Sequence, residues 1–424
     1  MIGILFISLL VLMFVGVPIA IALGASSMVV LSYQGMPLVT VAQSVFESLD
    51  SFSLMAIPFF ILAGNLMQSG GIAKRLVNLA NAILGWIRGG LGGVVVLTSM
   101  FFSTMSGSSS ATTAAVGSVL IPAMEKKGYP RPFGAAVAAS SGELGAIIPP
   151  SIPMIVYALT ANVSVASIFL AGILPGLLVG LSLIVCTCLI ARLRNYDMIE
   201  PITLRQWTLG VLLALKQSFF AILMPMVILG GIYSGMFTPT EASVVAVVYG
   251  LVVGLFIYRE LSWRDLLDVF GRSAVTSAII LIIVAFAAIF AYMLTINRVP
   301  HMLGTLITGI SDNPLVFLLI VNVALFLIGM FLETLAAIII LAPILAPAAM
   351  QFGIDPVHFA CIMVVNLAVG MVTPPVGVNL FVACQVANVR MEQLMRPLLL
   401  FLGVLIMDVM IITYVPALST WFLP

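Results

Sequence analysis

Long apolar runs separated by short polar interruptions set the rhythm of this chain. A spanning helix needs about 20 mostly apolar residues. Runs of that order fall at 52–69, 133–161, 164–191, 217–236, 240–257, 273–295, 357–388 and 393–420. Residues 2–33 would make a helix of about 48 Å, too long for one upright span and short for two. Gly16-Val17-Pro18 offers a break inside it. Two more runs, 90–125 and 314–350, are apolar but have polar or glycine-rich centres. The segments 36–50, 70–88, 193–215 and 259–272 mix charged and apolar positions, so they are expected to lie along the membrane surface as amphipathic helices.

Composition turns that pattern into a class. Hydrophobic residues make up 62% of the 424 positions and charged residues only 7%, against about 25% charged in an ordinary soluble domain. A soluble fold could not cover itself with so little polar surface. The 16 Lys and Arg nearly balance the 15 Asp and Glu, which excludes a nucleic-acid binder relying on a basic face. Cys186, Cys188, Cys361 and Cys384 sit in apolar runs and read as small buried residues. The apolar N-terminus lacks a basic leader and a clear cleavage site, so it is expected to stay as a helix. Every basic residue except Arg298 can be placed on one face, the cytoplasmic one. This requires 90–125 and 314–350 each to leave on the side they enter, which re-entrant hairpins and ordinary spanning pairs both do.

A repeat runs through the chain at a constant offset of 225 residues. Pro122, Gly128, Ala135, Gly145, Pro149, Pro150 and Ala158 correspond without a gap to Pro347, Gly353, Ala360, Gly370, Pro374, Pro375 and Ala383. Pro18 pairs with Pro239 at an offset of 221, which predicts a short helical pair in 2–33 matching 217–257. The first interrupted run is flanked by Arg88 and Lys126, the second by Asp312 and Asp355, so the copies are expected to face opposite ways. The expected fold is an all-α polytopic membrane protein of two inverted repeats, 1–192 and 217–424, joined by a surface linker at 193–216. Each repeat carries a re-entrant hairpin, at about 90–125 or 314–350, and a broken helix, at about 133–161 or 357–388. Inverted repeats with broken helices mark secondary transporters.

The chemistry concentrates at those interruptions. Eight hydroxyl residues lie between Ser103 and Thr113. At a turn in mid-membrane they suit a cation or anion site; as a stripe of small residues they suit close helix packing. The second interruption, Gly329 to Thr334, again combines glycine, an acid and a hydroxyl. The paired prolines should unwind the chain around Gly145–Ser151 and Gly370–Asn379 and bare carbonyl oxygens. Oxygen ligands without a His or Cys cluster suit sodium. Two symmetry-related sites are expected, one between Ser103–Ser108 and Gly145–Ser151, the other between Gly329–Thr334 and Gly370–Val376. Candidate substrate contacts are Ser108 and Ser109 at the first turn, Asn366 and Asn379 flanking the second proline pair, and Arg298. Arg298 is either an interfacial arginine or a bidentate carboxylate ligand. Glu143, Glu241, Glu333 and Asp408 fall inside expected spans; the first, second and last read as caps or packing partners rather than proton carriers.

Gly16-Val17-Pro18-Ile19-Ala20, the Ser106–Thr113 tract, Pro149-Pro150-Ser151, Phe237-Thr238-Pro239-Thr240-Glu241-Ala242 and Thr373-Pro374-Pro375-Val376-Gly377 occur in this order. Together they resemble the large membrane subunit of tripartite ATP-independent periplasmic (TRAP) transporters, over essentially the whole chain, with the sialic-acid branch the nearest in pattern. The resemblance implies a bacterial inner-membrane permease driven by a sodium gradient, with a small four-helix membrane subunit and a periplasmic binding protein as partners. It implies an elevator, in which a domain holding both hairpins slides against a scaffold. It implies sodium ligands at Ser103, Ser106, Gly145 and Ser151, and at Gly329, Thr334, Gly370 and Thr373. It favours Arg298 as the contact for a substrate carboxylate. Glu333 stands where the first copy has Ser108, which leaves it either a sodium ligand or a helix cap. The sequence has no phosphate-binding loop and no nucleophile–base pair or metal cluster for an intramembrane enzyme. A passive channel or exporter pore for small anions is the alternative reading.

Overall fold

The computed structural model describes residues 1–87, 89–196, 203–302 and 312–423. Arg88 and positions 197–202 of the expected linker lie outside the described residues. The described chain is all-helical. The break at Gly16 is real: α1 (Ile2–Phe14) and α2 (Ile19–Tyr33) pack on each other. Gly16 takes φ 88°, a left-handed value that suits glycine at the end of a helix. After α3 (Val39–Leu49), a 3₁₀ turn leads into α4 (Ala56–Ser69), followed by α5 (Ile72–Leu84).

The first hairpin is α6 (Gly90–Ser106) and α7 (Ser109–Lys126), with a two-residue turn. The next helix comes in three pieces, α8 (Arg131–Gly142), α9 (Leu144–Ile147) and α10 (Ile152–Thr160), bent by 42° at the proline pair. The long α11 (Val165–Leu193) closes this half. Its Leu177, Leu181, Val185, Leu189 and Leu193 form an exposed apolar ridge at four-residue spacing, while Val179 and Leu183 are buried. That is the face a lipid-embedded helix shows.

α12 (Leu204–Gln217) meets α13 (Phe219–Tyr233) at 64°. α14 (Pro239–Val252) starts from a Thr238–Glu241 capping box and runs on into a π turn. α13 and α14 restate α1 and α2, with Gly235 at φ 73° two residues past the end of α13, as Gly16 is past α1. Glu241 therefore sits exposed in a helix cap. The expectation for 259–272 fails. Residues 259–272 do not form a separate surface helix, because Ser262 and Asp265 cap α15 (Trp263–Ile296), and its 34 residues continue without a break. That is about 51 Å at 1.5 Å per residue, well beyond a bilayer core of about 30 Å, so its charged first turns stand outside.

The second hairpin is α16 (Pro314–Gly329) and α17 (Thr334–Gln351), and the second broken helix is α18 (Pro356–Gly370) and α19 (Val378–Ala387). α20 (Met391–Tyr414) and α21 (Ala417–Thr420) follow, so the span expected at 393–420 ends early, before Pro416. α7 and α17 have 18 residues each and start 225 apart, as α8 and α18 do. Six described helices are long and apolar enough to cross a membrane, or up to eight if each bent pair counts as one span. The halves are interlaced: α10 packs on α17 of the other hairpin, and α19 packs on α7 and α8. This crossover brings the two hairpin tips to one place.

Arg75 ties the amphipathic helix α5 to the turn after α14. Its guanidinium pairs with Glu260 at 2.7 Å, lies 3.6 Å over the Tyr258 ring, and is only 21% exposed. Arg131–Glu125 is the more solvated pair, at 41% and 48% exposure. Exposed pairs contribute little, whereas a partly buried arginine on an aromatic face contributes more. R75A should therefore lower the detergent melting temperature of the purified protein by several degrees and E125A should barely move it. Equal shifts would refute this ranking.

Candidate transport site

At the first tip, Gly107 turns the chain at φ 57° and Ser108 caps α7. The hydroxyls are held by the backbone: Ser103 donates to the Ser99 carbonyl at 2.6 Å, Thr112 to Ser108 at 2.8 Å and Thr113 to Ser109 at 3.0 Å. Such back-bonding is how hydroxyls tolerate a buried helix. Ser106 and Thr112 face each other at 2.8 Å. Ser151 caps α10 and donates back across the break to the Ala146 carbonyl. The tip and the break are tied by one main-chain bond, Ile152 N–H to the Gly107 carbonyl, 3.2 Å. A Cβ on Gly145 would lie 2.6 Å from the Ser108 carbonyl carbon and 2.7 Å from Thr112 Oγ1. Gly145 is thus glycine because a carbonyl and a hydroxyl are packed onto it.

The second tip repeats this plan with other side chains. Glu333 caps α17, accepting from Leu335 N–H at 3.0 Å and Ala336 N–H at 3.4 Å. Its position matches Ser108, the cap of α7. Thr334 donates to the Met371 sulfur, and Thr373 donates to the Val369 carbonyl at 2.9 Å. Gly377 N–H bonds the Met330 carbonyl at 3.1 Å, and Gly377 is 225 residues after Ile152. A Cβ on Gly370 would come within 2.6 Å of Gly329 Cα. Both proline pairs, Pro149-Pro150 and Pro374-Pro375, are cis.

A cavity of 390 Å³ opens where the tips meet. Its walls include Ser106 to Ala111 from the first tip, Glu333 to Leu335 from the second, and Met371 from the second break. Asn65 and Gln68 of α4 and Thr276 of α15 complete the polar lining. These three escaped the sequence reading. Asn65 and Gln68, three residues apart in an apolar run, were the available signal. Among the described lining residues Glu333 is the only ionisable one. Ser103, Gly145, Ser151, Gly329, Gly370 and Thr373 sit behind this wall at the two contacts.

The other expected contacts lie elsewhere. Asn379 is buried and donates to Glu143, itself fully buried, so the break regions of the two halves share a hydrogen bond. Ser109 also hydrogen-bonds the Glu143 carboxyl, while Asn379 Oδ1 keeps no protein partner. Asn366 donates to the Asn322 side chain at 2.7 Å, and Asn322 in turn donates to Thr413, a buried chain away from the cavity. Arg298 is exposed just past the end of α15, with φ 51°, and does not line the cavity. Asp408 accepts from Ser182, and His358 is buried between Ser419 and the Thr413 carbonyl. All four cysteines are free, and no His, Cys, Asp and Glu cluster able to hold a metal occurs among the described residues.

The family described as "Tripartite ATP-independent periplasmic transporter, DctM component" matches residues 6–418. The chain belongs to this family. Its relatives in the family are inner-membrane transporter permeases, not enzymes, and the apolar helices of this chain fit a multi-pass permease. It is 45% identical over 96% of its length to the isethionate TRAP transporter permease protein DctMQ of Oleidesulfovibrio alaskensis, of which it spans 64%, less than two thirds. It is 44% identical to the C4-dicarboxylate TRAP transporter large permease protein DctM of Pseudomonas aeruginosa, over 90% of this chain and 88% of that one. It is 37% identical to the sialic acid TRAP transporter large permease protein SiaM of Vibrio cholerae, over 84% and 83%. Among solved structures, the Alcanivorax borkumensis YdaH transporter shares the fold with a TM-score of 0.65 at 18% identity, covering 90% of this chain and 87% of that one. Neisseria gonorrhoeae MtrF does so with 0.59 at 15%, covering 88% and 84%.

Overpacking a tight contact costs about 1–3 kcal/mol, whereas alanine in place of an unhindered helical glycine gains up to about 1 kcal/mol. G370A should therefore melt at a lower temperature than the native TRAP permease. G403A, where an added Cβ meets nothing within 4 Å, should match or exceed it. A G370A protein as stable as G403A would show that the Gly329–Gly370 contact is not close-packed.

Proposed function

We propose that this chain is the large permease subunit of a tripartite importer that couples entry of an organic acid to sodium. The observation that carries this is a cavity lined by both tips, with Glu333 the one ionisable group among its described lining residues. A substrate carboxylate about 6 Å from an ionised Glu333 would be repelled by about 3 kcal/mol at an effective dielectric of 20. An anion therefore needs compensating positive charge close by. The N-termini of α7 and α17 supply about half a charge each, and Glu333 already draws on the second. Sodium bound with the substrate would supply the rest. Ser103, Ser106, Gly145 and Ser151 are the proposed oxygen ligands of one ion, and Gly329, Thr334, Gly370 and Thr373 of the other, with Glu333 beside it. The main-chain bonds from tip to break hold these ligands together in each half.

Ser108, Ser109 and Glu333 are the proposed gate groups toward substrate. Asn379 supports the wall through Glu143. Arg298, at the end of α15, would meet an incoming carboxylate before it reaches the cavity. The relatives named for isethionate and a C4-dicarboxylate share more identity with this chain than those named for sialic acid, which supports a small acid first and sialic acid second. The two relatives that span more than this chain are named as single permease proteins. The name DctMQ of the first supports a small four-helix membrane partner here, fused or separate, with a periplasmic binding protein to deliver substrate. The interlaced hairpins support a transport domain that moves as one body, like an elevator, against α4 and α15.

The test is uptake by proteoliposomes holding this chain and its small partner, with the binding protein outside. Labelled isethionate, succinate and sialic acid should enter only under an inward sodium gradient, one of them preferred. S106A should raise the sodium concentration for half-maximal uptake about tenfold, the cost of one lost oxygen contact of about 1.4 kcal/mol. Active uptake that ignores sodium would leave the passive pore.

A further inference from the structure

A second cavity, of 340 Å³, lies where the end of α11 meets the starts of α8 and α20. It has no part in the tips. Arg194 and Arg396 line it, with Phe133 and Tyr196 behind and Pro397 and Leu400 to one side. Tyr196 packs on Phe133 with ring centroids 5.6 Å apart, and Phe133 on Phe401 at 5.7 Å, so the back wall is a fixed aromatic block. Arg75 and Arg131 have acidic partners, but neither Arg194 nor Arg396 pairs with an acid among the described residues. Glu392, one turn before Arg396 on α20, is outside the lining, and Glu125 is taken by Arg131. Two arginines lining one cavity without an acidic partner among the described residues call for an anion, and the planar fork of arginine suits phosphate oxygens.

The apolar side shows where that anion comes from. Leu400 and its neighbour Leu399 are exposed, as is Leu193 at the end of the α11 ridge. These side chains face the hydrocarbon, one residue from Arg194 on α11. Lys126, Lys127, Arg131, Arg192 and Arg390 sit at the same helix ends, the basic side of the molecule. Basic pockets between spanning helices on that side hold lipid headgroups. We propose that this cavity binds the phosphate of an anionic phospholipid of the inner leaflet, between Arg194 and Arg396, with its acyl chains along Leu193 and Leu400.

The full chain with its small partner, in mild detergent, would be titrated with phosphatidylglycerol, cardiolipin or phosphatidylcholine and read by native mass spectrometry. The anionic lipids should bind in preference to phosphatidylcholine. R194A/R396A should weaken the tightest anionic-lipid site about 30-fold, from about fivefold for each charge removed, and leave phosphatidylcholine unchanged. R390A, outside the lining, serves as the control for general loss of charge. R194K/R396K keeps both charges, so it should retain the site even if the alanine variant folds poorly, and unchanged melting curves would confirm folding. Inorganic phosphate in millimolar excess should not displace the lipid. Equal anionic-lipid binding by the native and R194A/R396A proteins would overturn the proposal. So would phosphate binding that needs both arginines while lipid does not bind.

Discussion

Backbone carbonyls and amides freed by a helix break inside a bilayer must find partners within the protein, and the rest of this structure depends on how that demand is met. Each proline pair opens a helix beside the tip of a hairpin, and one main-chain bond closes the gap. Ile152 bonds Gly107 in the first half and Gly377 bonds Met330 in the second, at 3.2 and 3.1 Å. The breaks can exist at depth because the tips are there. The glycines follow from the same need. Gly145 lies against the Ser108 carbonyl and Gly370 against Gly329, where any side chain would push the bonded strands of chain apart.

Polar side chains at depth are handled sparingly. Hydroxyls bond back to their own helix, Asp408 takes Ser182, and Glu143 takes Asn379. A buried polar atom without a partner costs about 1–3 kcal/mol, and the oxygen of Asn379 between the two broken helices carries part of that burden. The interlacing of α10 with the second hairpin and α19 with the first places that burden, and both tips, in one small region. A site assembled from four separate segments of chain follows from this crossover rather than from any one motif.

The two tips share geometry but not chemistry. Ser108 and Glu333 occupy matching cap positions, one neutral and one acidic. Under the proposed coupling, an anionic substrate in their common cavity would meet an asymmetric field, and the charge holding it would come chiefly from helix N-termini and bound sodium. The membrane-facing surface answers to a different constraint, since the Leu177–Leu193 ridge and the basic helix ends position the fold in lipid without reference to transport.

The sequence alone determined the class, the breaks and the repeat. Apolar run length decides membrane insertion, and Gly16-Val17-Pro18 and the two proline pairs interrupt a helix because a glycine or a second proline compounds the lack of an amide at proline, whereas single prolines such as Pro175 and Pro225 stay inside helices. The hydroxyl tract and Gly329–Thr334 were legible as tips for the same local reason. Where local rules ran short, tertiary structure decided. The 259–272 segment is the exception, because it joins α15 through a local signal, the Ser262–Asp265 capping box, that outweighs its charge pattern. Asn366 turns to Asn322 and Arg298 stays at the end of α15, while Asn65, Gln68 and Thr276 enter the cavity wall, because which face of a helix meets a distant tip depends on packing between segments some 200 residues apart. Periodicity within one helix carries no record of that partner.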